Sequence, residues 1–397
     1  LHDKLQLPEN VQFIIKTLES AGFEAFIVGG CVRDILRGVA PKDWDITTSA
    51  QPGQAKALFS RTVDTGIKHG TITVLCGCER YEVTTYRADG EYLDKRRPSE
   101  VFFSQKIEDD LSRRDFTVNA VAYSPGRGFV DPFDGCGDIN RKIIRCVGNA
   151  AERFNEDALR MLRAIRFAAV LGFEPELEVV DSIIKLRKNL SYISAERIRE
   201  ELGKLIFGKN PAAIKLLETT GIMHQTLRNR DFGGDLDAVI SQLKNAQDAD
   251  ESMRFALFFA WASDDCREIM RDLRFDNKLQ KTVALYVQFL PAKIPHKRYE
   301  IKKILNEMPP EIFEKLLILK KLRGENAGEL EKIRHETNCL LKNGECFTRA
   351  GLAVNGNDLA KAGIFGRTTG ETLKTLLDAV MRDPSLNKKE KLLCLLK

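Results

Sequence analysis

The chain has 397 residues, too many for one compact core, and its 43% hydrophobic and 30% charged content is that of an ordinary globular protein. Apolar residues run through its whole length, which excludes wholesale disorder. The 62 Lys and Arg against 57 Asp and Glu leave a net charge of +5, a surplus that serves a polyanionic partner only where it is clustered. No apolar run approaches the roughly 20 residues of a membrane span, so no membrane partner is expected. The opening LHDKLQLPEN has no basic and apolar segments of a secretory leader. The nine cysteines form no Cys-x-x-Cys pair, and reduced thiols in a cytoplasmic setting are the simplest expectation.

In chain order, Val11 to Ser20 reads as an amphipathic helix and Glu24 to Val28 as a short buried strand. Gly29-Gly30 then turns the chain into a helix from about Val32 to Leu36. Asp43 to Thr47, Gly70 to Leu75, Tyr81 to Tyr86 and Gly128 to Val130 read as strands. From Ala151 onward the pattern is helical, beginning with one long helix to Leu171. Breaks are expected near Gly208 to Pro211, Gly233-Gly234, Pro291 to Pro295 and Pro309-Pro310. The outcome is an α+β chain, a mixed head followed by a helical body.

The strongest chemical signal lies in FIVGGCVRDILRGVAPKDWDITT, Phe26 to Thr48. Asp43 and Asp45 stand two apart in a strand-like stretch, so both carboxylates fall on one face. Two crowded carboxylates repel unless a cation lies between them. Mg²⁺ accepts one or two carboxylates and completes its shell with substrate phosphates. Taken alone, an Asp-x-Asp is usually a solvated turn. The glycines before it change that, because Gly29 and Gly30 permit close backbone approach and Arg33 adds a forked phosphate donor. Glu82, in RYEVTTYR, is a candidate third carboxylate on a neighbouring strand.

These residues carry a resemblance. GGCVRDILRG with KDWDITT resembles the signature of the class II tRNA nucleotidyltransferases and bacterial poly(A) polymerases. RRDFTVNAVAY (Arg113 to Tyr123), DPFDG (Asp131 to Gly135), RFNEDALRMLRAIRFAA (Arg153 to Ala169) and AERIREEL (Ala195 to Leu202) resemble the motifs that follow in order. LAVNGNDL (Leu352 to Leu359) resembles a tail segment of the shorter bacterial CCA-adding enzymes. The resemblance implies a catalytic nucleotidyltransferase head over residues 1–150, with a small β-sheet and helices. All-α parts in an extended arrangement would follow: a nucleobase-selecting neck over 151–210, a body over 211–308 and a tRNA-binding tail over 309–397. It implies that Asp43 and Asp45 are catalytic and hold Mg²⁺, and that Gly30, Arg33 and Arg114 bind the nucleotide, with Asp115 and Asn119 close by. Partners would be CTP, ATP and the 3′ end of tRNA, the reaction being template-independent CCA addition with release of pyrophosphate. An A-adding enzyme, a poly(A) polymerase and a tRNA-binding module with an inactive head are the alternatives.

Selection without a template needs a protein edge that reads bases. Treated as one helix at about 100° per residue with Arg160 at zero, Asp157 falls at about +60°, Glu156 at about −40°, Arg163 at about −60° and Arg166 at about −120°. All occupy one side, and Asp157 neighbours Arg160 at helical spacing. An acceptor beside a donor matches the amino group and ring nitrogen shared by cytosine and adenine, and mismatches uracil and guanine. Such a bidentate contact discriminates by roughly 1–3 kcal/mol. The resemblance gives the same role to this segment and adds Arg163 and Arg166 as nucleotide contacts. It also implies that the polar segment Arg87 to Glu100, expected as a loop, is needed for the last A. Basic clusters at Lys293 to Lys303 and Lys320 to Arg323, and the glycines with Arg367 in GIFGRTTG, are candidate RNA contacts.

Overall fold

The computed structural model describes residues 5–90, 101–262 and 265–396. The chain forms two compact units, Leu1–Phe232 with Asp272–Arg274, and Gly233–Arg271 with Phe275–Lys397.

The first unit is built on a mixed sheet. Its strands are β1 (Ala25–Val28), β2 (Asp45–Thr48), β3 (Thr62–Gly66), β4 (Thr71–Cys76) and β5 (Glu79–Thr85). A hairpin-like pair, β6 (Arg87–Asp89) and β7 (Val101–Phe103), stands apart, and β8 (Ala122–Ser124) and β9 (Gly128–Val130) complete the set. The seven-stranded sheet has the order β3-β4-β5-β2-β1-β8-β9. Only the β2–β5 pair in it is parallel. Alternation along the strands separates two faces. Ile27, Ile46, Ile72 and Val83 are buried in a core shared with α1 (Glu9–Ser20), whose Val11, Ile14, Ile15 and Leu18 recur at helical spacing. The opposite face buries Phe26 and Val28 against Ile107 and Leu111 of a short helix introduced below.

Three further helices serve the head: α2 (Gly30–Leu36), α3 (Pro52–Leu58) and α4 (Ile107–Ser112). After α5 (Gly135–Arg141), the unit continues as α6 (Ala150–Glu156), α7 (Leu159–Leu171), α8 (Leu177–Leu186) and α9 (Ala195–Ile206).

Three sequence expectations change. The single helix over Ala151 to Leu171 is two helices, because Asp157 leaves helical geometry with φ −141° and ψ 104°. Its carboxylate accepts the Leu159 N–H at 3.1 Å, the local side-chain bond by which Asp starts a helix instead of continuing one. The strand expected from Asp43 begins at Asp45, leaving Asp43 in the preceding bend. The loop expected over Arg87 to Glu100 opens with β6, which pairs with β7, and residues 91–100 lie outside the described residues.

The second unit is helical among the described residues. Two lysines from the supposed basic clusters are interior. Lys302 is 2% exposed at its side chain, donates to the Met381 carbonyl at 3.1 Å and pairs with Glu345 at 2.6 Å. Lys320 is fully buried and donates to the carbonyls of Leu290 and Ala292 at 3.0 and 2.6 Å and to Glu325 at 2.8 Å. Three donors on one ammonium meet three acceptors, so its charge ties together the segments after two helices and is not offered to an RNA. Lys320→Met is expected to lower unfolding stability by about 2 kcal/mol, since it strands buried acceptors. RNA affinity should stay the same; urea unfolding and a filter-binding titration on the same preparation check both.

Candidate active site

β2 carries the first elements of the site. Asp45 and Thr47 face away from the Ile46 core side, and Asp45 stands in register with Glu82 on the parallel β5. Asp43 comes from the bend before β2, so the two aspartates are paired by the turn and not by strand alternation. They are close enough to feel one another. The Asp45 carboxyl titrates above the ordinary range: partial desolvation raises it most, Arg114 opposes this, and the charge of Asp43 raises it further. A cation between the two would remove that repulsion. Among the described residues no three His, Cys, Asp or Glu side chains are spaced to ligate a metal on their own. That donor set fits a hard ion that takes two carboxylates and draws its remaining oxygens from phosphates and water.

The glycine turn is shaped around an arginine. Gly29 has φ +79°, and a Cβ there would lie 2.8 Å from an Arg114 Nη1. Glycine is therefore required both by the left-handed backbone and by the guanidinium beside it. Gly30 begins α2, two residues before the expected start near Val32, and Arg33 is the fourth residue of the helix. Arg33 donates to the Asn119 side chain at 2.7 Å and to Asp34 at 3.0 Å. Arg114 is aimed by Asp110, whose fully buried carboxylate accepts from Arg113 at 2.7 Å and from Arg114 at 3.1 Å. Burial pushes the Asp110 carboxyl up, but the Arg114 and Arg113 charges overcome it and hold it below the usual range.

A continuous polar chain then runs to α7. The Asp115 carboxylate accepts from Asn119 at 3.1 Å and from Arg163 Nε at 2.7 Å. Glu201 on α9, 5% exposed at its side chain, pairs with Arg166 at 2.5 Å and with Arg163 at 3.7 Å. Arg33, Asn119, Asp115, Arg163, Glu201 and Arg166 are thereby linked in sequence. The expected side-by-side pair of Asp157 and Arg160 is not formed. Asp157 is held by Arg197 of α9 through two bonds of 3.2 and 2.7 Å. Arg160 pairs with Glu156 at 2.5 Å and donates to the Arg153 and Arg113 carbonyls at 3.2 and 3.1 Å. The helix break is the reason, since residues on either side of it no longer share one helical face.

DPFDG turns out to be a support. Asp131 accepts the backbone N–H groups of Gly135 and Cys136 at 2.6 and 2.8 Å, and Asp138 accepts from Thr117 at 2.6 Å. A Cβ on Gly135 would lie 2.2 Å from the Thr117 carbonyl oxygen, so α5 packs directly beneath the RRDFTVNA segment. Sequence reasoning singled out Glu156 on the helical face of Arg160 but passed over Asp110, Glu201 and Arg197. Asp110 was within reach, standing three and four residues before Arg113 and Arg114, which follow directly on the end of its helix; the others needed the tertiary fold.

The charge on Asp115 makes a pH test. Burial would raise its carboxyl, yet Arg163 and the bonds from Asn119 and Arg163 bring it from 3.8 down to about 2. A carboxyl depressed in the folded state contributes stability that is fully present above about pH 4 and disappears as the pH falls through about 2. Asp115→Asn is expected to cost roughly 2 kcal/mol at neutral pH and to flatten the stability profile between about pH 4 and 2. Denaturant unfolding of parent and variant across that range measures the difference.

Comparison with known proteins places the chain in a family. Residues 25–145 match the family described as Poly A polymerase head domain, and residues 172–231 the one described as Probable RNA and SrmB-binding site of polymerase A. The CCA-adding enzyme of Leuconostoc mesenteroides is 36% identical over 390 residues, covering 96% of this chain and 95% of that protein. That of Limosilactobacillus fermentum is 36% identical over 386 residues, covering 96% and 94%. The crystal structure of the Bacillus stearothermophilus CCA-adding enzyme in complex with CTP superposes with a TM-score of 0.79 at 32% identity, covering 99% of this chain and 97% of that one. Likeness over nearly the whole length, in sequence and in fold, means that the chain belongs to the CCA-adding enzymes, the tRNA nucleotidyltransferases with a poly(A) polymerase head.

Proposed function

We propose that the chain completes tRNA 3′ ends with C, C and A from CTP and ATP in the cytoplasm, at a site held by Asp43 and Asp45 with Mg²⁺. The observation that carries this assignment is the unbroken polar chain from Arg33 to Arg166, which holds the arginines of the head and of α7 in one connected site. A bound divalent ion supplies activation of the tRNA 3′-hydroxyl and neutralises the departing pyrophosphate.

The protein groups do the rest. Gly30 opens the backbone toward the phosphates, and Arg33 and Arg114 pair with their oxygens. Both arginines arrive aimed, Arg33 by Asn119 and Arg114 by Asp110, so little side-chain freedom is lost on binding. Arg163 and Arg166 extend the positive wall along α7. Asp157 accepts from the exocyclic amino group of cytosine or adenine, and Arg160 donates to the adjacent ring nitrogen. Because Asp157 stands in the break between α6 and α7, its direction is set by Arg197 and by the Leu159 N–H and not by a helical wheel. Uracil and guanine present a carbonyl to the carboxylate and an N–H to the guanidinium, so neither group meets a complementary base edge. In this reading the head covers 1–150, the selecting neck 151–210, the body 211–308 and the tRNA-binding tail 309–397.

Asp43→Ala is expected to lower incorporation of both CTP and ATP by roughly a thousandfold while tRNA binding stays measurable. Labelled nucleotides supplied one at a time to tRNAs ending at the discriminator base, at C or at CC test this, and undiminished activity would remove the metal assignment. Arg160→Ala should raise UTP incorporation relative to CTP by roughly ten- to a hundredfold, the equivalent of one lost bidentate contact. An unchanged ratio in a competition assay would mean that the base is read elsewhere.

A further inference from the structure

Three of the arginines assigned to the nucleotide meet at one aromatic ring. Phe167, on α7, is 4% exposed. The guanidinium carbons of Arg166, Arg33 and Arg163 lie 3.8, 5.4 and 5.5 Å from its ring centroid. Two of them come from α7 and one from α2. The ring is itself fixed edge-on by Phe116, with centroids 5.6 Å apart and planes at 83°.

Three cations gathered on one ring repel one another, and something must hold them. Carboxylates do part of this: Asp34 pairs with Arg33 at 2.9 Å, Asp115 with Arg163 at 2.5 Å and Glu201 with Arg166 at 2.5 Å. A carboxylate, however, cancels the charge it holds, and a site filled with them would have little left for a polyphosphate. An aromatic face attracts a cation through its quadrupole and carries no charge of its own. It fixes the guanidinium while leaving its positive field available.

We propose that Phe167 is a positioning residue for nucleotide binding, its ring face being the common platform that holds Arg33, Arg163 and Arg166 for the triphosphate. The proposal rests on the assignment of those arginines to the nucleotide. It also gives the head and α7 a shared element: α2 contributes Arg33 to the ring, so displacement of the ring disturbs both sets of arginines together.

The test replaces Phe167 with progressively fluorinated phenylalanines, which keep its shape and withdraw electron density from its face, with Phe167→Leu alongside. Arg166→Ala serves as a reference. Expected is a stepwise rise in KM for CTP and ATP alike, reaching about tenfold at full fluorination, with kcat changed far less and thermal unfolding unmoved across the fluorinated series. A packing role alone would leave KM flat along that series, and that result overturns the proposal. If Arg166→Ala raises KM and fluorination does not, Phe167 is no platform although the arginines bind nucleotide. If neither changes KM, the assignment of the arginines falls as well.

Discussion

A carboxylate kept charged out of water governs the centre of the first unit. Asp115 is almost fully enclosed, and an isolated charge there would neutralise itself by taking a proton. Arg163 from α7 and Asn119 from its own segment prevent this, and the backbone N–H of Phe116 adds a third donor at 2.9 Å. The cost of desolvation is offset only while all of these donors stay in place. The head and α7 are thus joined by an interaction that tolerates little displacement, since a buried pair broken on one side leaves an uncompensated charge.

The same logic recurs at Asp110 and Glu201, each enclosed and each shared between two guanidinium groups. Four guanidinium groups, those of Arg113, Arg114, Arg163 and Arg166, meet these three acids. Polar interiors of this kind contribute less to stability than an apolar replacement would, but they fix orientation. Each guanidinium is thereby held in one direction before any ligand arrives.

Much of this was legible in the chain. A short apolar run located β1, a strand-like pattern β5 and helical amphipathicity α1, and the glycine pair located the turn that receives Arg114. Local rules worked there because the decisive contacts are neighbours in sequence or on one face. They failed at Asp157, where helix periodicity continued through the residue while its side chain bonded to the Leu159 N–H and ended the helix. They also failed for Lys302 and Lys320, which read as surface charge and are held by carbonyls supplied from segments 79 and 30 residues away. Glu201 and Arg197 belong to a helix whose amphipathic pattern gives no sign that a carboxylate on its buried side meets two arginines of α7.

The interruption at Asp157 has a bearing on engineering. Raising the melting temperature of a helical protein usually starts with alanine, leucine or glutamate in place of residues that disfavour helices. At this position such a change would fuse α6 to α7 and swing everything beyond the junction by about 100° for each residue absorbed into the spiral. The thermometer would record an improvement while the bonds that Asp157 makes to Leu159 and Arg197 were being broken.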